Sequence, residues 1–178
     1  MKALVVIDIQ KEYTTPGRRF HIQNIDRSLE NARAMLNLAR ESGWPIVHVK
    51  HLQEGEVFNP TSEMSGFVDG FSPQEGETLA VKSNISSFSS PAFAQFAAAH
   101  AKNEFVIVGY GTTMCCLATI VDGYSRGYKF SIVGDACAAR ATAEFSEQSM
   151  HEHALKILEP FSKVTTLEAE ETYFTPVE

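Results

Sequence analysis

The chain has 178 residues, 44% of them hydrophobic, which fits a single globular domain spanning 1–178 with a substantial core. A net charge of −7 argues against nucleic acid or an anionic membrane as partner, since the average field repels both, and favours a small neutral or polar ligand. Three cysteines, two of them adjacent, argue against a disulfide framework and for a reducing, cytoplasmic setting; the opening MKALVVIDIQ, interrupted by Asp8, reads as neither a secretory signal nor a membrane span.

In chain order, Ala3 to Ile7 is an unbroken apolar run of strand length that stops at Asp8, followed by Ile9, Gln10, Lys11, Glu12 and Tyr13. In an open α/β sheet the ligand crevice lies beyond the carboxyl ends of the strands, so a carboxylate there points toward it; a turn or cap aspartate is the bland alternative. A helix is expected over 25–42, with Leu29, Ala32, Leu36 and Ala39 on one face and Gly43 ending it. Ile46 to Val49 forms the second strand, leaving Lys50, His51, Leu52 and Gln53 at its outgoing end. Residues 54–77, with Phe58, Phe67 and Phe71, make an irregular stretch long enough to suggest a lid or a subunit surface. Thr78 to Val81 is a third strand ending in Lys82, and Ser89 or Ser90 with Pro91 opens a helix to about His100.

Phe105 to Val108 is a central buried strand, and after the glycine turn the spacing of Leu117, Ile120, Val121 and Tyr124 predicts a helix up to Gly127 with Thr112 or Thr113 as N-cap. Cys115 and Cys116 therefore fall near a helix N-terminus, where unpaired amides favour thiolate over thiol and can receive an oxyanion; two small buried hydrophobes are the alternative. A fifth strand is expected over 129–133, ending in Gly134, Asp135, Ala136 and Cys137, then a helix over 143–158 and a sixth strand over 164–166. Strands alternating with helices imply an α/β fold: a three-layer α/β/α arrangement with a mainly parallel, six-stranded, Rossmann-like sheet.

Three strand ends thus offer Asp8, Lys82 and Cys115 to one crevice, a set suited to nucleophilic catalysis. The Lys82 ammonium would lower the thiol pKa, Asp8 would accept the thiol proton and return it to a leaving amine, and helix-end amides would hold the oxyanion. Tyr13, His51, Gln53 and Phe88 lie next to these strand ends and are candidate substrate contacts.

The segments V-V-I-D-I-Q, V-K-S-N-I-S-S-F, V-G-Y-G-T-T-M-C-C and V-G-D-A-C-A-A-R resemble, in order and spacing, those of the isochorismatase-like cysteine hydrolases, within the nicotinamidase and isochorismatase superfamily. The resemblance covers nearly the whole chain. It implies that fold, a catalytic triad of Asp8, Lys82 and Cys115, and a cis peptide between Tyr110 and Gly111 that aims the Gly111 and Cys115 amides at an oxyanion. It also implies a homo-oligomer, a dimer or tetramer. Counting from Gly109 through Thr112 selects Cys115 over Cys116. Helix geometry agrees, because neighbouring helix residues differ by about 100° in facing.

True isochorismate hydrolases of the family cleave a vinyl ether and lack the motif cysteine, so its presence favours an amide, ureide or imide C–N bond cleaved through a thioester. The nicotinamidases' metal set needs an aspartate after strand two, where this chain reads H-V-K-H-L-Q; no metal or other cofactor is expected. His151 and His153, two apart on a helix, cannot chelate from one face and read as solvated surface. Besides the hydrolase, a vinyl ether hydrolase, a thiol redox protein using Cys115 with Cys116 or Cys137, and a non-catalytic binding protein remain as alternatives. The redox reading lacks a C-x-x-C motif.

Overall fold

A computed structural model describes residues 1–174. Six parallel strands form one sheet in the order β3-β2-β1-β4-β5-β6: β1 Lys2–Ile7, β2 Ile46–His51, β3 Thr78–Lys82, β4 Glu104–Tyr110, β5 Lys129–Ala138 and β6 Lys163–Thr165. The continuous apolar run of β1 has a plain cause, since it lies at the centre with both faces covered. Leu4 and Val6 point to the layer formed by α2 (Asp26–Glu41), while Ala3, Val5 and Ile7 point to the layer of α3 (Pro91–Ala99), α4 (Leu117–Ser125) and α5 (Glu147–Leu158). Helix α2 meets the sheet through Ala32, Met35, Leu36 and Ala39, the i, i+3, i+4, i+7 stripe of an amphipathic helix. The chain direction reverses its progress across the sheet between β1 and β4, and a crevice opens there beyond the strand ends.

The structure departs from the sequence reading at several boundaries. Strand β5 runs on to Ala138 because the β4–β5 register shifts between Ile107 and Gly109, so that Gly109 and Tyr110 pair with Cys137 and Ala138. Gly109 sits at φ 120°, where a Cβ would lie 2.0 Å from the Ile7 carbonyl oxygen, so the close approach of β4 to β1 requires glycine. The last long helix starts at Glu147 rather than 143, because Ser146 caps it through Ser149 N while Thr142 turns back on Phe145. Two helical pieces were not read from the sequence: the single turn α1 (Lys11–Thr14) and α6 (Leu167–Phe174), which packs near α2 and β5. No helix among the described residues is long and apolar enough to cross a membrane.

Candidate active site

Asp8 follows the last residue of β1 in the left-handed region, φ 49°, with its amide donating to the Val49 carbonyl at 3.0 Å. That turn aims the carboxylate back over the strand ends, where it is fully buried. Lys82 closes β3 and reaches under β2 to the same point. Its Nζ lies 2.9 Å from Asp8 Oδ2, 3.3 Å from Cys115 Sγ and 2.9 Å from His51 Nδ1. The ammonium thus donates to His51 and Cys115 and forms an ion pair with Asp8. His51 must accept through Nδ1, which leaves Nε2 to donate to Gln53 Oε1 at 2.8 Å; the ring is thereby fixed as one neutral tautomer.

Asp8, Lys82 and Cys115 do not share charge evenly. Burial disfavours the Lys82 ammonium, but Asp8 and Cys115 together outweigh it and hold the pKa above the ordinary lysine value. Burial first, and the Asp8 charge second, push the Cys115 thiol up to about 12, although Lys82 pulls it down. The expectation that the helix end favours Cys115 as thiolate is therefore corrected: burial and the Asp8 charge hold it as a thiol beside the Lys82 ammonium. The Cys115 sulfur accepts from Lys82. The Lys82 ammonium faces Asp8 Oδ2 as an ion pair, and neither Asp8 oxygen has a well-directed hydrogen-bond donor among the described residues, so the carboxylate is free to receive a proton.

The turn that carries Cys115 differs from an ordinary helix start. Residues Thr112–Cys116 form one π-helical turn, with the Gly111 carbonyl accepting from Met114 N at 3.1 Å and Cys116 N at 3.2 Å. Gly111 is the N-cap, and neither Thr112 nor Thr113 caps by side chain. The Tyr110–Gly111 peptide is cis. Cys115 faces the cavity, whereas Cys116 is buried in the core against Cys137.

That cavity has a volume of about 380 Å³, with Gly111 and Cys115 at its floor and Tyr13, Phe20 and Phe58 as an aromatic wall. Tyr13, His51 and Gln53 line it. Phe88 does not: it packs edge-on against Phe93 and stacks on Tyr128 inside the core, because the 87–89 turn directs it beneath α4. Residues 54–77 supply a wall through Phe58, whose amide is held by the buried Glu12 carboxylate at 3.2 Å; Glu12 also takes a two-pronged contact from Arg18. Gln10 fixes the same stretch, its Nε2 donating to Ser65 O at 2.7 Å and to His51 O at 2.9 Å.

Phe20, Phe58 and Arg140 are pocket residues that sequence reasoning did not assign. Arg140 ends the V-G-D-A-C-A-A-R segment, which was the one available signal; the loop aromatics had none beyond their chemistry. His151 is also corrected. It is half-buried, with Nδ1 2.7 Å from Thr112 Oγ1, while His153 stays exposed on the other side of α5. Among the described residues, no three His, Cys, Asp or Glu side chains are grouped so as to hold a metal ion.

The isochorismatase domain family matches residues 2–169. The chain belongs to the isochorismatase family. It is 33% identical over 139 residues to the uncharacterised isochorismatase family protein YddQ of Bacillus subtilis, covering 76% of this chain and 77% of that protein. It is 27% identical over 157 residues to a maleamate amidohydrolase of Pseudomonas putida, covering 78% and 72% respectively. An isochorismatase crystal structure from Pseudomonas putida KT2440 superimposes with a TM-score of 0.84 at 25% identity, over 94% of this chain and 89% of that one.

Proposed function

We propose that this isochorismatase-family hydrolase cleaves a small amide, ureide or imide at its C–N bond through a thioester on Cys115. The observation that carries the reading is the single Lys82 ammonium touching both Asp8 and Cys115, with Cys115 lining the cavity. As Sγ adds to the substrate carbonyl carbon, the thiol proton passes to Asp8, and the oxyanion is received by the Gly111 and Cys115 amides. Collapse breaks the C–N bond, and Asp8 returns the proton to the departing nitrogen. Water then adds to the thioester, giving a proton to Asp8; the C–S bond breaks and Cys115 is reprotonated. Lys82 stays charged throughout, and His51 keeps its Nζ in place.

The cavity wall narrows the substrate. Arg140 lies over the Phe20 ring at 3.9 Å, makes no ion pair among the described residues, and is the charged side chain of a lining that contains no carboxylate. A substrate with an anionic group remote from the scissile carbonyl suits it, in line with the maleamate amidohydrolase relative. Two tests apply. Amides, ureides and imides with and without a carboxylate are screened for ammonia or amine release, and turnover is quenched for mass analysis. The expected result is release from carboxylate-bearing members with a transient acyl adduct on Cys115; turnover undiminished in Cys115→Ala would overturn the reading.

A further inference from the structure

We propose that His151 is a positioning residue for the nucleophile turn, its neutral ring holding Thr112, and through it the Gly111 and Cys115 amides, in register for catalysis. This rests on the hydrolytic role given to that turn. The turn begins without a side-chain cap, and its π-helical winding hangs both of its first backbone bonds on one carbonyl, that of Gly111. Thr112 is the residue directly after Gly111 and is fully buried, yet its hydroxyl does not cap the turn it opens. It leaves the turn and meets His151 Nδ1 at 2.7 Å.

A neutral ring can take the Thr112 hydroxyl proton on Nδ1 while carrying its own proton on Nε2. One imidazole on α5 thus holds the turn that bears Cys115. Protonation would make both nitrogens donors. Thr112 would have to reverse its hydroxyl, and its hydrogen would lose its acceptor in a fully buried site.

The ring can reach protons. It lines a second cavity, about 590 Å³, together with Asn24, Arg27, Asp135, Glu147 and Glu152. These charges are mostly engaged elsewhere: Asp135 accepts from Leu167 N, Glu147 from Gln23 N and Asn24 N, and Glu152 from Gln148. Arg27 on α2 opposes a charged ring, and Glu152 favours it. Burial is the largest influence and lowers the His151 pKa, so the ring is neutral at neutral pH and charges only as pH falls.

His151→Asn keeps an acceptor near the Nδ1 position but cannot titrate; His151→Phe keeps the bulk and loses the acceptor. The expected result is that His151→Phe lowers kcat about 3- to 10-fold at pH 8 with KM unchanged, the size of one lost hydrogen bond. Thr112→Val should match it, and the double variant should add little. His151→Asn should retain most of kcat and lose an acid-side inflection present in the parent. A second readout needs no substrate: in the parent, the NMR resonances of the Gly111 and Cys115 amides should titrate with the His151 ring, and in His151→Asn they should not. Amide shifts that ignore the His151 titration, or an acid inflection unchanged in His151→Asn, would overturn the proposal. A coupled NMR titration in a protein that hydrolyses none of the panel would instead overturn the hydrolase reading alone.

Discussion

Strand β3 carries an ionic cluster at each end, and the two differ in how well their acids are satisfied. At its start Glu77 accepts four donors: Arg40 Nε at 2.7 Å, Arg40 Nη2 at 3.0 Å, His48 Nε2 at 2.7 Å and Gln74 N at 2.8 Å. At its end Lys82 meets Asp8, whose carboxylate shares that one ammonium with a thiol and an imidazole. Burial pushes Glu77 up, yet its donors prevail and hold its pKa down to about 2. A saturated carboxylate of this kind cannot take a proton at neutral pH, and its neighbours gain only position from it. The sparsely bonded Asp8 is the one that can exchange a proton with Cys115. An acid, a cation and a histidine thus form a saturated clamp at one end of a five-residue strand and a sparsely bonded cluster beside a thiol at the other.

The sharpest way to break this contrast is to remove the nucleophile. Cys115→Ala should cut turnover by at least about 10⁴-fold, since a unit that acts through a covalent intermediate fails as a whole. Cys116→Ala should stay folded and within a few-fold of the parent, and Arg40→Lys should leave kcat within about two-fold, because that clamp touches no cavity residue. Initial rates on whichever amide of the panel is turned over decide the matter.

Next in size is the double variant Asp8→Asn, Lys82→Met. Turnover should fall roughly 10³-fold, as the proton acceptor and the fixed cation vanish together. The thermal midpoint should hold or rise, because a buried ion pair loses in desolvation about what it gains in attraction. A large drop in midpoint would show that the Asp8–Lys82 pair stabilises the fold as the Glu77 clamp does.

The strands and the meeting of Asp8, Lys82 and Cys115 were legible because each depends on local pattern. Apolar runs such as 3–7 and 105–108 sit under helices on both faces, and Asp8 and Lys82 stand at strand ends. What escaped depends on distant partners. Phe58 becomes a cavity wall only because Glu12, far away in sequence, takes its amide. Phe88 adjoins the site in sequence but is turned inward by the 87–89 turn. Helix-face counting correctly separated His151 from His153 but could not show that the turn after β4 packs against one of them. The thiol was misjudged for a quantitative reason: a helix end favours thiolate, but burial and the Asp8 charge outweigh it.

That last point gives a third measurement. With the Cys115 pKa near 12, alkylation by iodoacetamide in a Cys116→Ala, Cys137→Ala background should climb about tenfold per pH unit through pH 10 without a plateau. Lys82→Met removes the one group that lowers this pKa, so its profile should move to higher pH by roughly one unit. A plateau near pH 7 in the parent would mean that the thiolate is the resting species and that Asp8 is not needed to take its proton.

The smallest expected effect is on the clamp. A glutamate whose folded pKa lies below its unfolded value contributes stability that is present above the unfolded value and lost as pH falls toward the folded one. For Glu77 that window runs from the ordinary glutamate range down to about 2. His48 acts in the same direction: burial lowers its pKa even against Glu77, so acid must place a charge on a fully buried ring. Glu77→Gln keeps the shape, retains an oxygen for Arg40 and removes the charge. Allowing for solvent screening near the surface, it should cost about 1–2 kcal/mol at pH 7. The cost should shrink as pH falls from 5 to 3, because the parent loses what the variant never had. Urea unfolding of both proteins across that range checks it, and kcat at pH 7 should stay unchanged. An equal stability gap at pH 7 and pH 3 would show that Glu77 works through packing alone, and would remove the charge from the contrast between the two ends of β3.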